Sequence, residues 1–399
     1  MMFDPRTPGR RAFLRSGCRH CMALAALAGG LPALAGEADD DQFELPARFK
    51  RPSADSDEGG LWAMMDREEQ RIRRSPLTLR DAGLQDYLRG LITRLVPEHA
   101  PDIRSYPVRM PLFNAMMAPN GMMIVWSGLL LRVENEAQLA AIVGHELGHY
   151  LERHTVEQLR AQRDAALVSQ FVGLIGGLGA AAGQIGIMAG MFAYSREHEA
   201  RADRLGMRLM KHAGYDGHEA VAVWANLLAE DRITGGEDAG SRGDIFATHP
   251  PTTERRDELR RMAENSKGEL GADSLRKAFA PLRFGWIQDE IKRGQYEESL
   301  VLFDRILKRD GQDAEALYAR GEIYRLRDEG SDNMKAMDDL QHASMQIKAP
   351  AETFRSLGLL YQQRSDAPAA TAAFQKYLAV APQAADAGLV RGYLTDLKP

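Results

Sequence analysis

The chain has 399 residues, 44% of them hydrophobic and 27% charged, with a formal net charge of −5. These values exclude a mainly disordered chain, a collagen-like chain and a polytopic membrane protein, and at about 150 residues per domain they predict two or three domains. The 51 basic residues against 56 acidic ones give no sign of a nucleic-acid partner, and two cysteines, Cys18 and Cys21, rule out a disulfide scaffold.

Residues 9–15 (Gly-Arg-Arg-Ala-Phe-Leu-Arg) precede an apolar run, roughly Met22 to Leu34, that ends in Ala33-Leu34-Ala35. A basic region, an apolar core and an Ala-x-Ala end are the parts of a secretory signal, so 1–35 is expected to be an export signal. Arg10-Arg11 with Phe13-Leu14 resembles the twin-arginine type, which implies a soluble, exported, periplasmic protein. Residues 36–60 are acidic and carry Ser, Gly and Pro, and read as a flexible leader. Residues 61–263 read as one dense, mostly helical domain.

Residues 137–150, Ala-Gln-Leu-Ala-Ala-Ile-Val-Gly-His-Glu-Leu-Gly-His-Tyr, contain no proline and space Leu139, Ile142, Val143 and Leu147 as a helix does. His145 and His149 are four apart, so both imidazoles leave one helix face and can meet one zinc ion. Glu146 is rotated about 100° from His145, beside the metal, where it can take a proton from the attacking water and hand it to the leaving amine. His154 is the nearest rival for a third ligand, but along a continuous helix it turns about 140° away from the ligand face. Between 171 and 193 lie 23 uncharged residues. A single bilayer crossing there would part His149 from Glu199 by about 30 Å of lipid, so the stretch is expected to pack near the site or touch a membrane peripherally. Glu199 and Asp203, in Ser195-Arg196-Glu197-His198-Glu199-Ala200-Arg201-Ala202-Asp203, are again four apart. Glu199 is the expected third ligand, and Asp203 the expected acceptor for a ligand imidazole.

Together, HELGH at 145–149, SREHEARAD at 195–203 and THPPTTER at 248–255 resemble the zinc peptidase family of the CAAX prenyl proteases, the mitochondrial Oma-type proteases and the bacterial HtpX-like proteases. The segment from Phe113-Asn114-Ala115 through Pro119-Asn120-Gly121 to Ser127-Gly128-Leu129-Leu130 matches as well. The resemblance implies an α+β, mostly helical, zincin-like domain with one zinc ion per chain. It also implies that Met122, Met123, Ile124, Val125 and Trp126 form the edge strand on which an extended substrate pairs. His249 and Arg255 would stabilise the oxyanion of the tetrahedral intermediate. His249, between Gly235-Gly236, Gly240 and Gly243 as a hinge and the stiff Pro250-Pro251, is further expected to fill the fourth metal position at rest and to withdraw for catalysis.

A polar stretch, 264–283, is expected to link this domain to 284–399, where a motif recurs. Gly321, Tyr324, Ala336, Leu340 and Ala343 return as Gly358, Tyr361, Ala370, Phe374 and Tyr377. Small residues at helix contacts with aromatics three or four positions on resemble tetratricopeptide repeats, hence an α-solenoid with a concave face for a protein partner, closed by a helix over 385–397. The whole layout resembles the periplasmic β-barrel assembly-enhancing proteases. The expected function is a zinc endopeptidase acting on unfolded or misassembled envelope proteins. The rival reading is a chaperone or assembly adaptor with an idle protease centre.

Overall fold

Ser56 opens the first helix. Its hydroxyl accepts the Gly59 N–H at 3.0 Å, and Asp57 and Glu58 come in the first turn, where negative charge suits the helix dipole. This helix, α1 (Asp57–Arg74), and the elements after it belong to a computed structural model that describes residues 43–161, 194–234, 249 and 252–397. The expected signal (1–35), the uncharged stretch 171–193, the glycine hinge and Pro250-Pro251 lie outside the described residues. Residues 1–45 and 46–399 separate as two units, and every described helix and strand belongs to the second.

The stretch read as a flexible leader touches the helical region from Pro46 onward, although most of its residues before α1 stay exposed. The Pro46 carbonyl lies 2.7 Å from His99 Nε2, Arg48 pairs with Asp102 at 2.5 Å, and the Phe49 ring meets Tyr150 edge-on at 5.1 Å. Its polarity suggests a leader. Its Ser-Asp-Glu helix start and the Phe49 ring decide the structure.

Helix α2 (Ala82–Leu95), capped by Asp81, leads into a three-stranded sheet of β1 (Arg104–Val108), β2 (Ala115–Met117) and β3 (Met122–Trp126). The order is β1-β3-β2, with β1 parallel and β2 antiparallel to β3. This corrects the expectation for Met122, Met123, Ile124, Val125 and Trp126. They form the central strand, hydrogen-bonded on both sides and wholly buried, so no substrate can pair there. Met122, Ile124 and Trp126 share one sheet face, as period-two geometry requires, and pack with Met116 and Val108 against Leu61, Met64, Met65 and Ile72 of α1. Strand β2 is the sheet edge beside the site. The bonds from Ala118 N–H to Met122 C=O (2.8 Å) and from Trp126 N–H to Asn114 C=O (3.1 Å) set the alternation, so Ala115 and Met117 turn their backbone polar groups away from β3.

Helix α3 (Ser127–Arg132) directly succeeds β3. Asn135 then caps α4 (Glu136–Leu151), its side chain accepting the Gln138 N–H at 2.9 Å. After α5 (His154–Ala161), the described chain resumes with α6 (Arg196–His212), α7 (His218–Asp231) and α8 (Thr253–Ala263). Helices α4 and α6 lie in backbone contact. A Cβ on Gly206 would sit 2.8 Å from the His145 nitrogen, and one on Gly148 2.9 Å from the Ala202 oxygen. That approach lets side chains from two helices converge on one point.

The expected linker 264–283 is half helix. α9 (Ala272–Arg293) begins inside it and buries Leu275, Phe279, Trp286, Ile287 and Ile291, a helical spacing hidden among charged residues. Six helices come after it: α10 (Tyr296–Arg309), α11 (Ala314–Arg327), α12 (Asp332–Ser344), α13 (Ala351–Gln363), α14 (Ala367–Val380) and α15 (Ala387–Asp396). The two glycines of the recurring motif sit at helix contacts: a Cβ on Gly321 would meet Leu340 at 2.8 Å, and one on Gly358 would run into the Phe374 ring. Among the described residues no helix is long and apolar enough to cross a membrane.

Candidate metal centre

The helix that carries the first motif is buried nearly all round, from Ala137 to Leu151. Two histidines and a glutamate on such a helix must therefore find partners inside the protein. His145 Nε2 and His149 Nε2 lie 3.1 Å apart, as the four-residue spacing requires. Ser195 caps α6 by accepting the His198 N–H at 3.2 Å, and one turn later Glu199 enters the same space. Glu199 Oε1 is 3.4 Å from His149 Nε2, and its Oε2 is 3.5 Å from His145 Nε2. His249 completes the group, with Nδ1 3.0 Å from Glu199 Oε1 and 3.2 Å from His145 Nε2. All four side chains are buried, and each offers a donor atom within 4.8 Å of the others.

This arrangement fits a metal ion. Edges near 3.3 Å are what four donors about 2.0–2.1 Å from a tetrahedral zinc would show. Imidazole nitrogens facing one another at 3.1–3.2 Å cannot all carry protons, so a shared cation relieves the cluster. The charge balance agrees. Glu146, Glu199 and Asp203 are buried with one arginine, Arg255, and a divalent cation would cancel the remaining two negative charges.

Each titratable group responds to this enclosure. Burial pushes Glu146 up, and the facing His249 and His145 only partly offset it, so its carboxyl stays above the ordinary range. Glu146 Oε1 is buried without a hydrogen-bond partner, 3.4 Å from His249 Nε2, and the Met117 backbone N–H donates to the same carboxylate. Burial also pushes Glu199 up, but His249 and His149 outweigh it and hold it far below the usual carboxylate range. Burial drives His149 well down. His249 is raised because Glu199 and Glu146 overcome its burial. Asp203 is pushed up by burial and pulled lower by Arg255.

Asp203 enters from α6, with Oδ1 2.9 Å from His145 Nδ1. Arg255 also reaches the centre, but its guanidinium is committed to carboxylates. Nε and Nη2 donate to Asp203 at 2.7 and 2.9 Å, and Nη1 lies 2.7 Å from Glu199 Oε2. The expected contact with an oxyanion would require these pairs to be remade, because Arg255 here spans the Glu199 and Asp203 carboxylates.

Three neighbours escape a reading of the sequence. Tyr194 stacks on His149 with ring centres 3.8 Å apart and planes 15° from parallel. Its one signal is its place just before the capping Ser195. Trp224 of α7 lies 6.3 Å from His145 and under the Arg255 guanidinium at 5.2 Å. No local pattern announces it. His154, set aside as a ligand, is indeed absent from the donor cluster, but its Nδ1 lies 2.9 Å from His149 Nδ1. Burial, with His198 and Arg201 nearby, takes His154 down to about 3.

The profile of "Peptidase family M48" matches residues 79–263. The chain is 25% identical over 252 residues to the beta-barrel assembly-enhancing protease of Escherichia coli K12, covering 59% of this chain and 50% of that one. It is 31% identical over 157 residues to mitochondrial metalloendopeptidase OMA1 of Arabidopsis thaliana, covering 37% and 29%. It is 28% identical over 159 residues to the E. coli metalloprotease YcaL, covering 39% and 59%. The chain spans about half the length of the assembly-enhancing proteases it matches. Residues 79–263 of the chain form a peptidase family M48 domain.

Proposed function

We propose that the chain is a zinc endopeptidase of the cell envelope with one zinc ion held by His145, His149 and Glu199. The observation that carries this reading is the convergence of those three side chains with a buried, partnerless Glu146 oxygen beside them. Zinc bound there would supply Lewis acidity, polarising the scissile carbonyl and acidifying water. Glu146, with its raised affinity for protons, takes the proton of the attacking water and returns it to the leaving amine. Asp203 fixes the His145 tautomer, and Arg255 holds Glu199 and Asp203 in place. The edge strand β2 is the strand beside the base, with the Met117 N–H donated to Glu146.

His249 has two roles in this reading. With its Nδ1 among the donors it completes a set of four and leaves no place for water, which is a resting state. Withdrawn, it serves the oxyanion beside Glu146.

The remaining assignments come from the sequence and the names of relatives. Residues 284–399, from the second half of α9 onward, are a tetratricopeptide solenoid that presents a concave face to a protein partner, and residues 1–35 direct export to the periplasm. Relatives named for β-barrel assembly suggest unfolded or misassembled outer-membrane proteins as substrates. The uncharged stretch 171–193 provides any peripheral membrane contact.

Zinc content and casein cleavage, measured for wild type and Glu146→Gln, test the enzyme. The variant should keep its zinc and lose about 10²–10⁴-fold in cleavage rate. Cleavage unaffected by Glu146→Gln would overturn the assignment and leave the adaptor reading.

A further inference from the structure

Two imidazoles of the centre each need their outer nitrogen held, because a ring that gives Nε2 to a metal carries its proton on Nδ1. For His145 the facing group is the Asp203 carboxylate, 2.9 Å from Nδ1. For His149 it is another histidine. His154 Nδ1 lies 2.9 Å from His149 Nδ1, with ring centres 5.0 Å apart and planes at 73°.

The fold goes out of its way to bring His154 there. On a continuous helix, position 154 would face away from position 149. Helix α4 instead ends at Leu151. Arg153 adopts a left-handed backbone with φ 57°, unusual for a residue with a side chain, and α5 restarts at His154. The strained Arg153 is held by an ion pair with Glu58 and by the Phe49 ring, 5.1 Å from its guanidinium carbon. His154 is fully buried, and His198 stacks on it at 4.5 Å. Its second nitrogen, Nε2, has no hydrogen-bond partner among the described residues. A half-satisfied imidazole in a dry interior is unfavourable, and the one bond it makes is to His149.

Two facing ring nitrogens need one donor and one acceptor. If His149 offers Nε2 to the metal, its Nδ1–H is the donor, so His154 Nδ1 is the acceptor and its own proton sits on Nε2. We propose that His154 is a positioning residue that fixes the tautomer and direction of His149, a neutral imidazole doing for one ligand what the Asp203 carboxylate does for the other. The inference rests on reading His149 as a metal ligand. It makes the two histidine ligands unequal. A carboxylate draws the ring proton more strongly than an imidazole does, so His145 is the more basic ligand and His149 the weaker one.

Zinc affinity by chelator competition on the full chain tests the proposal. Asn and Leu have matching shapes, and only Asn carries an acceptor at the δ position. His154→Leu should weaken zinc binding about 10–100-fold, His154→Asn should restore it to within about threefold of wild type, and His198→Leu, which removes the stacking ring and its Glu157 pair but leaves the His149–His154 contact, should stay within the same margin. Equal affinities for His154→Leu and His154→Asn, or an unchanged affinity in His154→Leu, would overturn the proposal. The zinc-loaded wild type gives a second readout that needs no folded variant. Imidazole ¹⁵N resonances should show His149 protonated at Nδ1 and His154 protonated at Nε2 only, and a proton on His154 Nδ1 would refute it. A wild type that takes up no zinc would defeat the metal reading itself, a result distinct from any ordering of the variants.

Discussion

At the scale of single residues, the proposed resting block makes His249 the residue on which the opening of the centre turns. Its Nδ1 stands among the donors while its Nε2 faces Glu146 at 3.4 Å, so one ring touches both the metal position and the base. A side chain in that place blocks water until it moves. His249→Ala should therefore retain zinc on His145, His149 and Glu199 and raise basal self-cleavage several-fold, or leave it unrestrained. Self-cleavage and zinc content of the purified protein, monitored over time, measure this. An inactive variant with no gain under any condition would remove the resting block and leave only the oxyanion role. The donors and Glu146 are legible in the sequence because i, i+4 spacing is itself a geometric statement. His154 is misjudged there because position 154 faces away only on a continuous helix. The break depends on Glu58 and Phe49, which are remote in sequence from Arg153. The direction of Arg255 is hidden for a similar reason: spacing places a residue near a site but does not say which carboxylate it meets first.

At the scale of elements, the centre depends on how closely α4 and α6 approach. Glycines 144, 148 and 206 form that contact, and the atoms a Cβ on Gly206 would strike belong to the backbone of Gly144 and His145. Backbone cannot swing aside, so Gly206→Ala must separate the helices that carry His145 and Glu199. We expect it to cost about 1–3 kcal/mol in stability, with weaker zinc binding in proportion. Gly90→Ala, at an exposed position of α2 where a Cβ meets nothing within 4 Å, should instead stabilise by about 0.4–1 kcal/mol. Denaturant unfolding of both variants checks the pair, and a Gly206→Ala protein as stable as wild type would show that the close approach is not needed. Strand order is the feature of this scale that the sequence conceals. β2 has three residues, too few for a recognisable alternation, and nothing local in Met122–Trp126 says whether one or two neighbours flank it. The start of α9 inside a polar stretch is hard to see because its buried residues are spaced by four among lysines and arginines.

Over the whole molecule, the helices after residue 272 are fastened to the metallopeptidase region by buried charge. Arg132, at the end of α3, pairs with Glu230 of α7 at 2.6 Å, with Glu290 of α9 at 2.8 Å and with Glu298 of α10 at 3.2 Å. Arg305 of α10 reaches Glu230 from the other side at 2.8 Å, and Arg293 and the Ser299 hydroxyl also bond to Glu290. Helix α7, which bears Glu230 in this network, also bears Trp224 beside His145 and Arg255, so the junction and the metal centre share one element. Burial pushes Glu290 up, but Arg132 and Arg293 outweigh it and hold the carboxyl at about 2. Its folded value is therefore depressed, so its contribution is fully present above the unfolded carboxylate value, about 4.3, and is lost as pH falls from there through about 2. The size is on the order of 3 kcal/mol. Glu290→Gln cannot titrate. It should be clearly less stable than wild type at pH 6, where removing one partner leaves Arg132 and Arg293 short of a counter-charge, and the gap should close as pH drops from about 4.3 toward 2. Urea unfolding of both proteins across that range measures the gap directly. A difference that stays constant with pH would mean that the Glu290 charge does not hold the junction, and that packing of Trp286, Ile287 and Ile291 does so alone.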